Sequence, residues 1–168
     1  MVPHPPRLRP EIRVATTAAE LEGHYRVRYQ VFVEEQAIFT GDDRDQWDGT
    51  AIHAVAVLGP VVVGAVRLYR LDESGLWQGD RLAVLPEARR MRPGGELVRF
   101  AVKTAGERGG TRMVAHVQEA NVAFFLHLGW SRLGPLVDHH GIPHQRVDIP
   151  LSGAEEVNEL SYHWALGG

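Results

Sequence analysis

The chain has 168 residues, enough for one domain with a real hydrophobic core and too few for two comfortable ones. Hydrophobic residues make up 44% and charged residues 23%, an ordinary globular composition that argues against a disordered or fibrous protein. Its 18 lysines and arginines against 21 aspartates and glutamates give a formal charge of -3, which disfavours a partner such as nucleic acid or an anionic membrane.

The sequence contains no cysteine, which excludes disulfides, thiolate metal sites and a cysteine nucleophile and favours the cytoplasm. Prolines interrupt the first ten residues, where an export signal would need an apolar helix. The most apolar segment, residues 54–66, is broken by Gly59-Pro60 and is far shorter than the roughly 20 residues that span a bilayer. We predict a cytoplasmic protein with an extended arm over residues 1–10 and one domain over residues 11–168.

The first third of the chain predicts a strand over residues 11–15 and then a helix, which begins at the capping box Thr17-Ala-Ala-Glu20 and ends near Gly41. The face of this helix that should be buried carries Leu21, Tyr25, Arg28 and Phe32. A polar loop over residues 40–49 follows. Residues 53–58 and 61–71, joined by Gly59-Pro60, predict an antiparallel hairpin.

The second half predicts a strand over residues 79–85, stopped by Pro86, and a helix with apolar rows from Leu97 that stops at Gly109. A strand over residues 112–118 and a short helix, capped by Asn121 and ended by Gly129, come next. Residues 133–137 and 144–149 are weaker strand candidates. This order predicts a mixed α/β sheet with helices on both faces.

A basic turn with two glycines, Arg89-Arg-Met-Arg-Pro-Gly94-Gly, connects the strand that ends before Pro86 to the following helix. Such a turn presents free backbone N–H groups and the positive end of a helix dipole, which favour a phosphate group. It has neither the Gly-Lys-Ser/Thr of a P-loop nor the three glycines of a dinucleotide-binding fingerprint. Taken alone, the turn could also be a simple bend with solvated arginines.

Two separated motifs resemble hallmarks of the GNAT superfamily of acyl-CoA-dependent N-acetyltransferases. Leu82-Ala-Val-Leu-Pro86 followed by the basic turn is similar to the family's strand end and signature turn, and Asn121-Val-Ala-Phe-Phe-Leu-His-Leu-Gly-Trp130 is similar to its second hallmark. Tyr29-Gln-Val-Phe-Val-Glu-Glu-Gln36 resembles the subgroup with a Val-Phe-Val-x-Glu-Gln first helix. The resemblance covers about residues 11–149 and extends, more loosely, to N-acetyltransferases of nitrogen-starvation gene clusters.

The resemblance implies a mostly antiparallel sheet that holds acetyl-CoA where two strands separate. The backbone of Leu82, Ala83 and Val84 would pair with the pantetheine amides, while Asn121 and Phe125 would line the other side of the cofactor. The pyrophosphate would lie on the basic turn, against Arg89, Arg90, Arg92, Gly94 and Gly95. The amine would then attack the thioester directly, and the resemblance also allows a homodimer.

Two positions depart from the family pattern. The first turn glycine of the family falls on Arg92, and Pro93 has no N–H to donate, a loss that guanidinium charge could offset. Phe125 stands where many members carry a tyrosine thought to protonate the leaving thiolate. Either another group protonates this thiolate or it leaves unassisted.

An amine that arrives protonated needs a base near the thioester, and three residues are our catalytic candidates. Asp80 stands two residues before Leu82 and is expected on the same strand face. Glu35 ends the first helix, and His116 lies on the strand over residues 112–118, where its ordinary pKa of about 6.5 would be useful. His53 is equally ambiguous. For each of these residues an ordinary structural role remains open.

Three further groups of residues have both a functional and a structural interpretation. The loop aspartates at positions 42, 43, 45 and 48 either attract a cationic amine or are solvated. Trp47, Trp77 and Trp130 either line an acceptor pocket or belong to the core. The histidines at positions 139, 140 and 144 suggest a metal site, but we expect none. Glycine and proline at positions 141 and 143 prevent the helix that would bring His140 and His144 to one face.

Our first functional hypothesis is an N-acetyltransferase that moves the acetyl group of acetyl-CoA directly to a primary amine of a small molecule. An acyl-homoserine lactone synthase-like acyltransferase is the alternative enzyme, since Arg28-Tyr-Gln-Val-Phe32 and the acidic loop also fit that pattern. A non-catalytic acyl-CoA-binding module is the third reading, motivated by Arg92 and Phe125.

Overall fold

The computed structural model describes residues 8–152, which form a seven-stranded sheet with helices on both faces. The strands are β1 (Glu11–Val14), β2 (Ile52–Leu58), β3 (Val61–Arg70), β4 (Leu76–Val84), β5 (Arg112–Gln118), β6 (Ser131–His139) and β7 (Ile142–Pro150). Their order across the sheet is β1-β2-β3-β4-β5-β7-β6. Every neighbouring pair is antiparallel apart from β4 and β5, so the predicted mixed, mostly antiparallel sheet is confirmed.

The helices are α1 (Ala18–Arg28), α2 (Pro93–Glu107) and α3 (Val122–His127). A core that includes Val27 of α1, Val55 of β2 and Val62 of β3 covers one face of the sheet. On the other face, α2 and α3 bury a larger core that includes Leu97 and Phe125. No helix in this described part of the chain is long and apolar enough to cross a bilayer.

Helix α1 begins as predicted, with both hydrogen bonds of the capping box present. The Thr17 hydroxyl accepts from the Glu20 N–H at 3.1 Å, and the Glu20 carboxylate accepts from the Thr17 N–H at 3.2 Å. The predicted buried face is wrong at Leu21, which is exposed. The helix instead approaches β3 at Gly23, where an added Cβ would lie 2.5 Å from Val62. With this face against the sheet, Leu21 lies at the solvent-exposed edge of the helix.

A π-helical segment over Tyr29–Glu35 continues α1, with the Gln36 N–H donating to the Val31 carbonyl five residues back at 2.9 Å. The helix therefore ends at Glu35, six residues before the predicted end near Gly41, and it ends in a wider turn that the periodicity did not indicate. Segments of this kind are rare and often lie at functional sites.

The predicted hairpin, the strand over residues 112–118 and the two C-terminal strands are all present. Strand β4 begins three residues before the predicted start, at Leu76, and β6 and β7 extend beyond their predicted bounds. The left-handed conformation at Gly109, with φ of 84°, follows the end of α2 and explains why the helix stops there.

Strand β4 contains a bulge at Arg81, which adopts a left-handed φ of 53°. Ala83 faces Ala65 on β3 and Asp80 faces Arg67, so one extra residue of β4 lies between the two pairs. The bulge reverses the alternation of side chains. Asp80 consequently shares a face with Ala83 and not with Leu82, which corrects the face expected from simple alternation.

Candidate active site

The site is a gap in the sheet between the parallel strands β4 and β5. These strands pair only over Leu76–Gln78 and Arg112–Val114, after which β5 continues beside β7. A cavity of about 500 Å³ fills the gap. Its wall includes Leu82 and Phe125 from the face of α2 and α3, and Asp80 and His116 from the face of α1.

The face of α2 and α3 holds the residues predicted to contact the cofactor. Leu82, Asn121 and Phe125 line the cavity together. Ala83 turns its side chain into the core under α1, so it offers a cofactor only its backbone, and the Val84 carbonyl accepts from Arg89 Nε at 3.1 Å. Asn121 stands at the start of α3, but the expected capping hydrogen bond from its side chain is absent.

The basic turn leads from β4 through a 3₁₀ turn, Pro86–Met91, into α2. Arg92 has a left-handed φ of 53°, and Pro93 is the first helical residue. Proline is well suited to this position because its missing N–H has no partner inside a helix. The departure at Pro93 therefore leaves the N–H groups of Gly94 and Gly95 in the first helical turn, and no described side chain caps them.

The end of the π-helical segment contacts the basic turn that follows β4 on one side and strand β5 on the other. The Glu35 carboxylate accepts two hydrogen bonds from the Arg89 guanidinium, at 2.8 and 2.6 Å, and this contact lowers its pKa. Gln118 on β5 donates to Gln36 at 3.1 Å. Glu35 thus lies beside the basic turn, and it is not among the described residues that line the cavity.

The Asp80 carboxylate lines the cavity but is occupied by internal hydrogen bonds. Arg67 donates to its two oxygens at 2.7 Å each, and the Tyr69 hydroxyl donates to it at 3.0 Å. Tyr69 itself stacks on Trp47, with ring centroids 4.4 Å apart, and both rings line the cavity. Burial, reinforced by the negative charge of Asp80, raises the pKa of Tyr69.

Two fully buried arginines explain most of the acidic loop. Arg28 donates to Asp43 and Asp48 at 2.7 Å each, and Arg67 donates to Asp48 at 3.0 Å and also to Asp45. Burial alone would raise the pKa of Asp48, but hydrogen bonds from Arg28 and the Asp45 N–H lower it overall. These aspartates are internal counter-charges, whereas Asp42 is exposed.

His24 and His53 complete this ionic cluster. His24 is fully buried between the Ala54 carbonyl, 3.0 Å from Nδ1, and an Arg28 nitrogen, 3.3 Å from Nε2. Burial, together with the charges of His53 and Arg28, lowers the pKa of His24 to about 3. His53 lies 3.1 Å from Asp48 and belongs to the cluster rather than to the described wall of the cavity.

His116 is the candidate base that the structure leaves half-buried on the cavity wall. Its ring packs against His139, which packs against His144, with centroids 5.1 Å apart in each pair, and His140 also lines the cavity. Burial, followed by the neighbouring His139, lowers the pKa of His116. No group of three potential ligands within residues 8–152 is placed to hold a metal ion.

The cavity wall also includes residues that the sequence did not single out. Among the polar ones are Arg44 of the acidic loop, Tyr69 of β3, and Gln78 and Arg81 of β4. Trp47 lines the cavity, Trp77 belongs to the core, and Trp130 does both. For Arg44, its position among the loop aspartates was a signal in the sequence. For Arg81 there was none, because the sequence does not reveal the bulge that directs its side chain.

A sequence model of the acetyltransferase (GNAT) family matches residues 18–130. The chain belongs to this family. Over 136 residues it is 29% identical to the uncharacterized N-acetyltransferase YjcF of Bacillus subtilis strain 168, a match that covers 80% of this chain and 95% of YjcF.

Solved structures with this fold include a protein from Lactobacillus plantarum described as an N-acetyltransferase. It has a TM-score of 0.76 at 24% identity, over 85% of this chain and 99% of the other. An aminoglycoside 6'-N-acetyltransferase complexed with coenzyme A has a TM-score of 0.70 at 14% identity, over 83% and 96% of the two chains. Its family and its fold together identify this protein as an acyltransferase with a CoA-type donor.

Proposed function

We propose that the protein transfers the acetyl group of acetyl-CoA directly to a primary amine of a small molecule. The observation that carries this proposal is the continuous cavity, which extends from Leu82, Asn121 and Phe125 to the polar residues around His116. In the reaction the amine nitrogen bonds to the acetyl carbon, the C–S bond breaks, and the amine proton passes to a base. The products are an amide and CoA.

The basic turn and the edge of β4 would hold acetyl-CoA, which supplies the activated thioester. The backbone from Leu82 to Val84 faces the gap left by β5, and Gly94 and Gly95 offer N–H groups for the pyrophosphate. Three exposed arginines, Arg89, Arg90 and Arg92, supply positive charge around this turn. Arg89 would exchange Glu35 for phosphate, which is favourable because exposed ion pairs contribute only about 0–1 kcal/mol.

We propose His116 as the base that accepts the amine proton. Its lowered pKa keeps the imidazole neutral at pH 7, so a ring nitrogen can accept a proton. Asp80 is less suited because Arg67 and Tyr69 already donate three hydrogen bonds to it, and Glu35 is bound to Arg89 away from the cavity.

Phe125 provides no proton for the departing CoA thiolate, and the Tyr69 hydroxyl is an unfavourable donor because its pKa is raised. A thiolate is weakly basic compared with an amine or alkoxide, so it can leave without a general acid. The proposal therefore needs one catalytic base and no replacement for the tyrosine of other family members.

The first test is the thermal melting shift with saturating acetyl-CoA, with adenosine as the control. About a hundredfold excess over the Kd stabilises the folded state by roughly 2.7 kcal/mol, or about 5–10 °C for this size. Thiol release should then follow with amines. No shift would contradict the assigned CoA site, and a shift without thiol release from any amine would favour the non-catalytic acyl-CoA-binding module.

The role of His116 is tested by the pH dependence of kcat/KM. In the wild-type protein, kcat/KM should fall as the pH drops through the lowered pKa of His116, because the protonated ring cannot accept a proton. His116→Gln should lose about 100-fold or more in kcat and lose this pH dependence. His127→Gln changes an exposed histidine outside the cavity and is the matched control. Full activity of His116→Gln would remove it as the base.

A second candidate function is transfer of a longer acyl chain, as in an acyl-homoserine lactone synthase-like enzyme. The observation that favours it is the contact of Arg28 with Asp43 and Asp48. This contact joins the Arg-x-x-Val-Phe helix to the acidic loop, the two sequence features on which that alternative rests. A comparison of acetyl-CoA with octanoyl-CoA at equal amine concentration separates the two. A higher kcat/KM for octanoyl-CoA would replace the acetyltransferase proposal.

A further inference from the structure

We propose that the acceptor amine carries a carboxylate group, which Arg44 and Arg81 bind on the α1 face of the cavity. The inference rests on the proposed function and names its substrate class. The acceptor would be an amino acid or an amino-acid derivative rather than a simple amine or a polyamine. The contacts of the charged side chains on the cavity wall carry this inference.

The carboxylates on the wall are already satisfied from inside the protein. Asp45 accepts hydrogen bonds from Arg67, Arg81 and the Trp47 N–H. The Asp80 oxygens accept three more, as described above. Because both carboxylates face buried or partly buried guanidinium groups, they are weak attractors for the ammonium group of a polyamine.

Arg44 differs from these carboxylates, because it lines the cavity and its guanidinium has only a distant carboxylate partner. Within the described residues, its guanidinium makes no hydrogen bond, and its nearest carboxylate contact is the exposed Asp42 at 3.7 Å. The guanidinium carbon lies 3.6 Å from the centroid of the Tyr25 ring, a contact that fixes its flat face. A carboxylate can bind its free N–H edge in a planar, two-point contact.

Arg81 presents a second guanidinium to the same cavity. Its Nε and Nη2 donate to the Asp43 carbonyl at 3.2 and 3.0 Å, and its guanidinium carbon lies 4.5 Å from the centroid of the Phe39 ring. Nε also lies 3.2 Å from the Asp43 carboxylate, and Nη2 lies 3.4 Å from the Asp45 carboxylate. Among residues 8–152, no acceptor occupies Nη1. The bulge that directs this side chain places a non-glycine residue at positive φ, a cost that persists where surrounding structure requires it.

The charged groups of this wall that can still bind a ligand are therefore the guanidinium donors of Arg44 and Arg81. The carboxylate acceptors already have partners. An oxyanion satisfies donors, and a primary amine must also reach the base. His116 lies on the same wall as Arg44 and Arg81. A molecule with a carboxylate at one position and an amine at another fits both requirements.

The test uses matched acceptors at saturating acetyl-CoA, namely L-lysine, L-lysinamide and cadaverine, with further amino acids compared with their amides. We expect the acids to exceed the amides and decarboxylated amines by about tenfold or more in kcat/KM, the usual effect of one charge-assisted hydrogen bond. Arg44→Gln should abolish this preference by raising the KM of the acids while retaining kcat. Arg132→Gln alters an exposed arginine of β6 outside the cavity and should keep the preference.

Equal kcat/KM values for acids, amides and decarboxylated amines would overturn the inference and leave the acetyltransferase proposal standing. A preference that survives in Arg44→Gln and in Arg81→Gln, with both proteins folded, would also overturn it. Absence of turnover with every amine would overturn the proposed function and the inference with it. Because Arg81→Gln also removes contacts to Asp43, its circular dichroism spectrum and melting temperature are measured beside the kinetics.

Discussion

The two sides of the cavity are built in different ways. The α2 side, where the donor is proposed to bind, takes its proposed donor contacts from two continuous segments, residues 82–95 and 121–130, with an exposed basic turn. The α1 side brings together a loop, several strands and the π-helical segment, and most of its charges lie in buried or partly buried ion pairs such as Arg67 with Asp80. A short sequence motif can describe the first side, whereas only the folded chain assembles the second.

The difference has an energetic consequence. Arg89 and Glu35 on the donor side are 44% and 38% exposed, so their ion pair can break at little cost. Arg28 and Asp43 on the acceptor side are 0% and 1% exposed, and removal of one partner leaves the other as an unpaired buried charge. Substitutions in the buried ion pairs of the acceptor side should therefore change folding, and those in the exposed turn of the donor side should change binding.

Asp43→Asn should produce the largest effect on stability. It removes the carboxylate charge that faces Arg28 and Arg81, and loss of a buried partner costs about 3–5 kcal/mol. Urea denaturation measures this loss. Asp42→Asn is the matched control, since the neighbouring Asp42 is exposed and its substitution should change the free energy of unfolding by less than about 0.5 kcal/mol. Equal effects at the two positions would contradict the distinction between buried and exposed loop aspartates.

Arg89→Ala combined with Arg92→Ala should produce the largest effect on donor binding. Loss of two charge-assisted contacts to phosphate should raise the Kd for acetyl-CoA by about 100-fold or more, at about 1.5–3 kcal/mol for each contact. Calorimetric titration gives the Kd, and the urea midpoint should stay near that of the wild type because both side chains are exposed. An unchanged Kd in the folded double variant would contradict the assignment of the basic turn.

Local signals predicted most of the fold. The capping box at Thr17, the hairpin at Gly59 and the helix end before Gly109 each depend on a few adjacent residues, and all three are present. The bulge at Arg81 and the exposure of Leu21 depend on how distant elements pack. Periodicity within one element could not indicate either feature.

The same division holds for the candidate site. The grouping of Leu82, Asn121 and Phe125 followed from two motifs, and the structure brings these residues to one cavity. The binding of Asp80 by Arg67 and of Glu35 by Arg89 joins residues 13 and 54 positions apart. Such pairings decide which carboxylates can act as a base, and sequence separation hides them.

Acid should destabilise the protein through the buried His24. Its pKa is lowered to about 3, so below pH 6.5 the unfolded state binds a proton that the folded state rejects. The free energy of unfolding should therefore fall by about 2 kcal/mol between pH 7 and pH 5. His24→Gln should reduce this slope, whereas His127→Gln, which changes an exposed histidine, should keep it. An undiminished slope in folded His24→Gln would assign the effect to other groups.

The smallest effect is expected on the donor side, from Glu35→Gln. This change removes the negative charge that holds Arg89, so Arg89 becomes available to phosphate without first breaking an ion pair. The Kd for acetyl-CoA should fall by about two- to fivefold, in line with the 0–1 kcal/mol of an exposed pair, while kcat stays unchanged. Glu34→Gln, an exposed neighbour, is the control and should alter neither constant. A large loss of kcat in Glu35→Gln alone would restore Glu35 as a catalytic base and remove the distinction between a binding side and a reacting side.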